Sequence, residues 1–160
     1  MKRAFSATKL LALMLVLCSL AGCVSRKYVS TASILVTNGA VITSYEETTD
    51  KIFGSDITAS VYLADTVVDL LNTTDIYKKV ADELGGDYTY QSLMDCSKVV
   101  RRGESTLFID VTFSSTDPKE AMRLANKFVE IACGYITDFI PSARANVAST
   151  AIRAQKQGLF

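Results

Sequence analysis

The alternation of apolar and polar side chains along the chain changes period several times, and each change predicts an element. From Tyr28 to Thr37 it is two, in a stretch rich in β-branched residues. Val29, Thr31, Ser33, Leu35 and Thr37 fall on one side and Tyr28, Ser30, Ala32, Ile34 and Val36 on the other, which predicts a strand. Asn38-Gly39 can take positive φ and ends it, and the polar run from Thr43 to Asp50 reads as a loop. From Ser55 the spacing lengthens. Ile57, Val61, Ala64, Val68 and Leu71 recur every three or four residues, predicting a helix that stops near Asn72. Thr73 or Thr74 can cap a second helix, in which Ile76, Val80 and Leu84 share a face before Gly85-Gly86 ends it, and Thr89 can cap a short third turn through Leu93.

The period of two returns at Ser97 to Arg101 and at Thr106 to Ser114, two strands joined around Gly103. In the second, Leu107, Ile109, Val111 and Phe113 face one way while Thr106, Phe108, Asp110, Thr112 and Ser114 face the other, as in a half-buried antiparallel strand. Asp117-Pro118-Lys119-Glu120 is a helix start: Asp117 as N-cap, Pro118 at the first helical position, Glu120 placed to complete a capping box. Behind it Ala121, Ala125, Phe128, Ala132, Tyr135 and Phe139 form a stripe up to Pro141. The tail, 142–160, carries Arg144, Arg153 and Lys156 and fits either a strand near Ala145 to Thr150 or a frayed helix. The whole predicts one α+β domain over 24–141, a small antiparallel-containing sheet packed against helices, followed by that tail.

The first 23 residues are of another kind. Lys2 and Arg3 form a basic start, and after Lys9 an uncharged, mostly apolar stretch of about 16 residues runs from Leu10 to Ser25. A permanent bilayer span wants roughly 20 apolar residues, whereas this length suits a secretory signal. It ends in Leu20-Ala21-Gly22-Cys23, which resembles the bacterial lipobox, in which the cysteine takes a diacylglycerol and becomes the new N-terminus. The alternative is an uncleaved N-terminal transmembrane helix. Either anchor, lipid on Cys23 or helix, puts the rest of the chain at the extracytoplasmic face of the membrane, because the positive charges stay inside.

Composition then removes classes of chemistry. Among 160 residues there is no histidine, so histidine-dependent triads, His-ligated metals and a histidine pH switch are excluded. Lysine plus arginine and aspartate plus glutamate each number 17, but no acid precedes Cys23, which leaves the exported body mildly acidic and a poor nucleic-acid binder. Of the four cysteines, Cys96 and Cys133 lie in that body. They could pair in an oxidising compartment, and two small buried hydrophobes is the simpler reading. Glu46, Glu47 and Asp50 could suggest a glycosidase pair, yet they sit in a polar loop with nothing to raise one pKa. Tyr45, Tyr62, Tyr77, Tyr88, Tyr90 and Tyr135 offer stacking surfaces that a core would use equally well. Arg101 and Arg102, beside a glycine turn, could touch lipid phosphate, a neighbouring protomer's acids or anionic glycan. No catalytic residue, metal or cofactor is expected.

Laid in order, these segments resemble a known family. The strand beginning at Tyr28, the helix Asp56-Ile57-Thr58-Ala59-Ser60 through Ala64-Asp65, and Asp75-Ile76-Tyr77-Lys78-Lys79-Val80 are similar to the polysaccharide chain-length determinants, also called polysaccharide co-polymerases. Closer still are Thr106-Leu107-Phe108-Ile109-Asp110-Val111-Thr112 and the helix start Asp117-Pro118 with Ala121, Ala125 and Asn126. The likeness covers roughly residues 28–140. It implies a membrane-proximal α+β domain that forms homo-oligomeric rings, meets a polysaccharide polymerase and the nascent glycan, and sets the length of O-antigen, capsule or exopolysaccharide. In that setting the five motif residues are structural, since capping and close helix packing explain the first four, and Asn126 would satisfy backbone groups. The family also carries a second hydrophobic span after the domain. No long apolar run follows Pro141 here, and with that span would go any cytoplasmic tail and direct route to a tyrosine kinase. From another class, a monomeric lipoprotein that binds or senses envelope glycan remains the alternative, and a carboxylate-based glycan hydrolase a weaker one.

Overall fold

The structure, a computed structural model, describes residues 27–38 and 54–157, with the side chains of 54–57 left out. The elements are β1 (Tyr28–Asn38), α1 (Gly54–Leu71), α2 (Thr74–Leu84), α3 (Tyr90–Asp95), β2 (Ser97–Arg101), β3 (Phe108–Ser115), α4 (Pro118–Phe139), β4 (Ala143–Ser149) and β5 (Gln155–Lys156). The α+β expectation holds: one antiparallel sheet in the order β2-β3-β1-β4 carries helices on one face. The predicted loop at Thr43 to Asp50 lies outside the described residues, as does the N-terminal segment. Among the described residues no helix is long and apolar enough to cross a membrane.

Alternation decides the sheet's two faces. Ala32, Ile34 and Val36 of β1, Ile109, Val111 and Phe113 of β3, and Val99 of β2 are buried beneath the helices. β1 is central, with β3 along one side from Tyr28–Ser115 to Leu35–Phe108. Its other side is shared: β4 covers Ser33 to Asn38, with a register shift between Ser33 and Ile34, and β5 covers Tyr28 and Val29. The tail therefore resolves to a strand, beginning two residues before the expected Ala145.

Several local expectations need correction. The α1 stripe was expected through Val61 and Val68, but both are only half-buried, and Ala64, Val67, Leu70 and Leu71 take the core. Adjacent apolar residues on this helix permit more than one stripe, and packing against β1 selects among them. Thr73 stands at the N-cap of α2 without a side-chain cap bond. Its hydroxyl instead donates backwards to the Leu70 carbonyl at 2.7 Å, closing the end of α1. Thr89 does cap α3, in a reciprocal box with Ser92. Gly85, at φ 64° and ψ −172°, stops α2 in a conformation essentially reserved for glycine. On α4 the stripe Ala121, Ala125, Phe128, Ala132 is fully buried but continues through Ile136, leaving Phe139 66% exposed. A helical period of 3.6 drifts off any fixed stripe over six turns.

Candidate functional site

The motif at the start of α4 builds a frame. The Asp117 carboxylate accepts from the Lys119 N–H at 2.9 Å and Pro118 opens the helix, so two of the predicted capping roles are filled. The third is not. Glu120 turns away from the cap to receive Arg123, with Nε at 2.9 Å, and the Tyr88 hydroxyl, which ties the loop after α2 to α4. Those bonds hold the Glu120 carboxyl below its usual range, the Arg123 contribution being the largest. Ala121 and Ala125 are fully buried, and their small side chains let α4 lie close on the sheet.

Asn126 has the most specific role of the five. Its Nδ2 donates to the Ala151 carbonyl at 3.0 Å and its Oδ1 accepts from the Ala151 N–H at 2.7 Å. One side-chain amide thus supplies both bonds that a neighbouring strand would have given. Ala151 lies in the irregular stretch between β4 and β5, and the Ser30 hydroxyl holds the same stretch by donating to the Arg153 carbonyl at 3.1 Å. These contacts bridge the part of β1 that neither β4 nor β5 covers.

Arg101 and Arg102 are adjacent in sequence and opposite in space. Arg101 points to the helix side, with Nε 3.1 Å from Asp65 of α1; its Nη1 is buried with no hydrogen-bond partner among the described residues. Arg102 lies on the open face. It grips Asp110 with Nη2 at 2.7 Å and Nε at 3.1 Å, and Nη2 also donates to the Ser33 hydroxyl at 2.6 Å. The Ser33 hydroxyl donates in turn to Asp110 at 2.7 Å, and the guanidinium lies 5.1 Å from the Phe108 ring centre. Each guanidinium is therefore committed to a carboxylate, and the two do not converge on one anion. The sequence reading missed the Ser33–Asp110–Arg102 cluster, although Ser33 and Asp110 stand on the polar sides of their strands and β1 pairs them directly.

Partial burial works against the Asp110 carboxylate, but the bonds from Arg102 and Ser33 outweigh it and hold its pKa below the usual range. A depressed carboxylate stabilises the fold fully above its unfolded pKa, about 3.9, and loses that contribution as pH falls through the folded value. Asp110→Asn is expected to lower stability at neutral pH by about 1 kcal/mol and to flatten the acid limb of stability below about pH 4. Urea midpoints across pH check both; parallel acid limbs for the variant and the parent would contradict the pairing.

Among the described residues Cys96 and Cys133 are free thiols. Burial raises both pKa values, Cys133 to about 11. At pH 8 about one Cys133 in a thousand is thiolate, so alkylation located by peptide mass analysis is expected to be slow in the native protein and rapid in urea. Fast native labelling of Cys133 would contradict its packing. Tyr77 is core, its hydroxyl 2.7 Å from Ser97 Oγ, while Tyr62 is exposed and Tyr88, Tyr90 and Tyr135 are half-buried. Cys23, Tyr45, Glu46, Glu47 and Asp50 lie outside the described residues. No group of three His, Cys, Asp or Glu side chains among the described residues could hold a metal.

The ends of the described chain meet. The Gln157 N–H donates to the Lys27 carbonyl at 2.8 Å, beside the pairing of Lys156 with Tyr28. Residues entering β1 and leaving β5 thus share one end of the sheet, the end at which β3 stops and α4 starts. Compared with models of protein families and with curated protein sequences, the chain matches none.

Proposed function

We propose that this chain is a membrane-anchored, extracytoplasmic scaffold of surface-polysaccharide assembly that acts as a homo-oligomer and modulates glycan chain length. The observation that carries the proposal is the meeting of Lys27 and Gln157 at 2.8 Å. Cys23 is only four residues before Lys27, a reach of about 14 Å at most, so an anchor there would hold this end of the sheet against the bilayer. The far strand ends and the C-terminal end of α4 would then stand away from it. The same arrangement suits a domain entered and left from the membrane side, as the resemblance to the chain-length determinants implies.

Oligomerisation draws on two further features. Confinement to a surface raises the effective concentration of weak lateral contacts. Among the described residues β2, β4 and β5 each pair with a strand on one side only, and on β2 the Val99 carbonyl is met by the Asn72 side-chain amide at 3.4 Å, so β4 offers the more open edge for a neighbour. An assembly of this kind would act by geometry, limiting how long the growing glycan stays with its polymerase, and no side chain is assigned covalent chemistry. The N-terminal segment, by lipid on Cys23 or by a single helix, supplies the anchor in either form.

The test is the state of the full chain in detergent, measured by sedimentation, together with polymer length in a deletion strain. Concentration-dependent oligomers and loss of length control are expected. A monomer at high concentration would overturn the scaffold and favour a monomeric glycan-binding lipoprotein, and glycan cleavage by the purified chain would favour a hydrolase. Cys23→Ala separates the anchors: lost attachment and altered gel mobility identify the lipid, unchanged behaviour the helix.

A further inference from the structure

Four cations gather where the chain enters and leaves the sheet, and none takes part in an ion pair among the described residues. Lys27 precedes β1 and its carbonyl holds Gln157. Lys156 pairs with Tyr28, and Arg153 is bound through its carbonyl by Ser30. Lys119 is in the first turn of α4, just beyond Ser115, which also faces Tyr28. All four side chains are exposed.

We infer that this end of the sheet is a lipid-contact surface on which Lys27, Lys119, Arg153 and Lys156 bind the phosphate headgroups of anionic phospholipid. The acids nearby offset them only in part. Asp117 is spent on the helix cap, Glu120 is taken by Arg123 and Tyr88, and Asp87 and Asp95 flank α3 on the β2 side of the sheet. Lys98, on the open face opposite Thr112, adds a fifth positive charge about 10 Å further along the strands. The opposite end carries Glu104 in the β2–β3 turn and Asp138 at the end of α4 together with Arg144 of β4, which pairs with Thr37, so no comparable excess of positive charge gathers there. Arg101 and Arg102 are excluded from this surface by their carboxylate partners and by distance: Arg102 sits beside Phe108, level with Leu35, roughly 23 Å up the sheet from Tyr28.

A basic side chain held near an anionic bilayer gains about fivefold in partitioning, an effect confined to roughly 10 Å from the surface. Four cations at the anchored end of an otherwise mildly acidic body are placed for that contact. The orientation rests on the proposed N-terminal anchoring, and the experiment separates the two.

The full-length chain is floated with vesicles of phosphatidylcholine alone and with vesicles containing about one third phosphatidylglycerol. Amine acetylation of Lys27, Lys119 and Lys156 is read by mass spectrometry, with exposed Lys79 of α2 as reference. We expect flotation with both, and at least about fivefold slower acetylation of the three lysines on the anionic vesicles, reversed at about 1 M salt. Flotation with both and equal acetylation would overturn the lipid contact and leave the anchor standing. Flotation with anionic vesicles only, salt-sensitive and lost when Lys27→Gln, Lys119→Gln, Arg153→Gln and Lys156→Gln are combined, would uphold the contact and overturn the anchor. Flotation with neither would overturn both.

Discussion

Phe128→Ala is expected to cost about 3–5 kcal/mol, the largest loss of any single truncation considered. Phe128 is fully buried at the middle of α4, and its ring lies tilted against Tyr77 of α2 at 5.2 Å and Phe113 of β3 at 5.6 Å between centroids. One side chain thus joins two helices to the sheet, and its removal takes away the buried area, both ring contacts and the filling of the space between them. A domain of this size has a total stability of about 5–15 kcal/mol, so the variant should begin to unfold with little urea. Phe139→Ala, on the same helix but two-thirds exposed, is expected to cost less than about 1 kcal/mol. Urea unfolding followed by far-UV circular dichroism measures both; similar midpoints for the two variants would mean that the described core is wrong.

Asn126→Ala should cost about 2–4 kcal/mol by a different route. Ala151 is buried, so when the side-chain amide is removed its N–H and C=O lose partners at 2.7 and 3.0 Å that water cannot readily replace. The damage should be local at first: amide exchange is expected to accelerate through residues 150–157 while β3 keeps its protection. Asn126→Asp is the sharper variant, since it retains an acceptor for the Ala151 N–H but sets a carboxylate against the Ala151 carbonyl. It should be no more stable than the alanine variant. Unaltered exchange at Ala151 in either would remove Asn126 from the role assigned to it.

What was legible in the residues follows from what is decided locally. The division of β1 into two faces, the grouping of Ile109, Val111 and Phe113 on one side of β3, the Gly85 stop and the Asp117-Pro118 start all depend on neighbours within a few positions, and alternation or cap chemistry states them directly, though not which face of β1 turns inward. The burial face of α1 does not. Val67 and Val68 are equally apolar, and only contact with strands brought from elsewhere distinguishes them. Thr73 and Glu120 each had competing partners within reach, and the cap lost both times: to the Leu70 carbonyl three residues back, and to Arg123 three residues on together with Tyr88 from a distant loop. At the candidate site the same division holds. The α4 motif could be read as framework from its capping chemistry, whereas the separation of Arg101 from Arg102 required knowing that the extended pairing runs on to Arg102, so that the period of two sends the pair to opposite faces. The four-cation end was invisible because Lys27, Lys119, Arg153 and Lys156 come together only through strand register and chain reversal.

The shared outer side of β1 has a consequence for biogenesis. Among the described residues β1 is the earliest strand, yet its outer partners are the last, and the Ser30–Arg153 bond spans 123 residues. If the chain is exported as proposed, the central strand would emerge ahead of its outer partners and wait, half of its backbone unpaired, until almost the entire described domain had been delivered. Such long-range closure is intrinsically slow, and an exposed strand edge invites the wrong neighbour. Under that proposal, rapid production of the protein would depend on a holding chaperone at the site of folding more than the small size of the domain suggests.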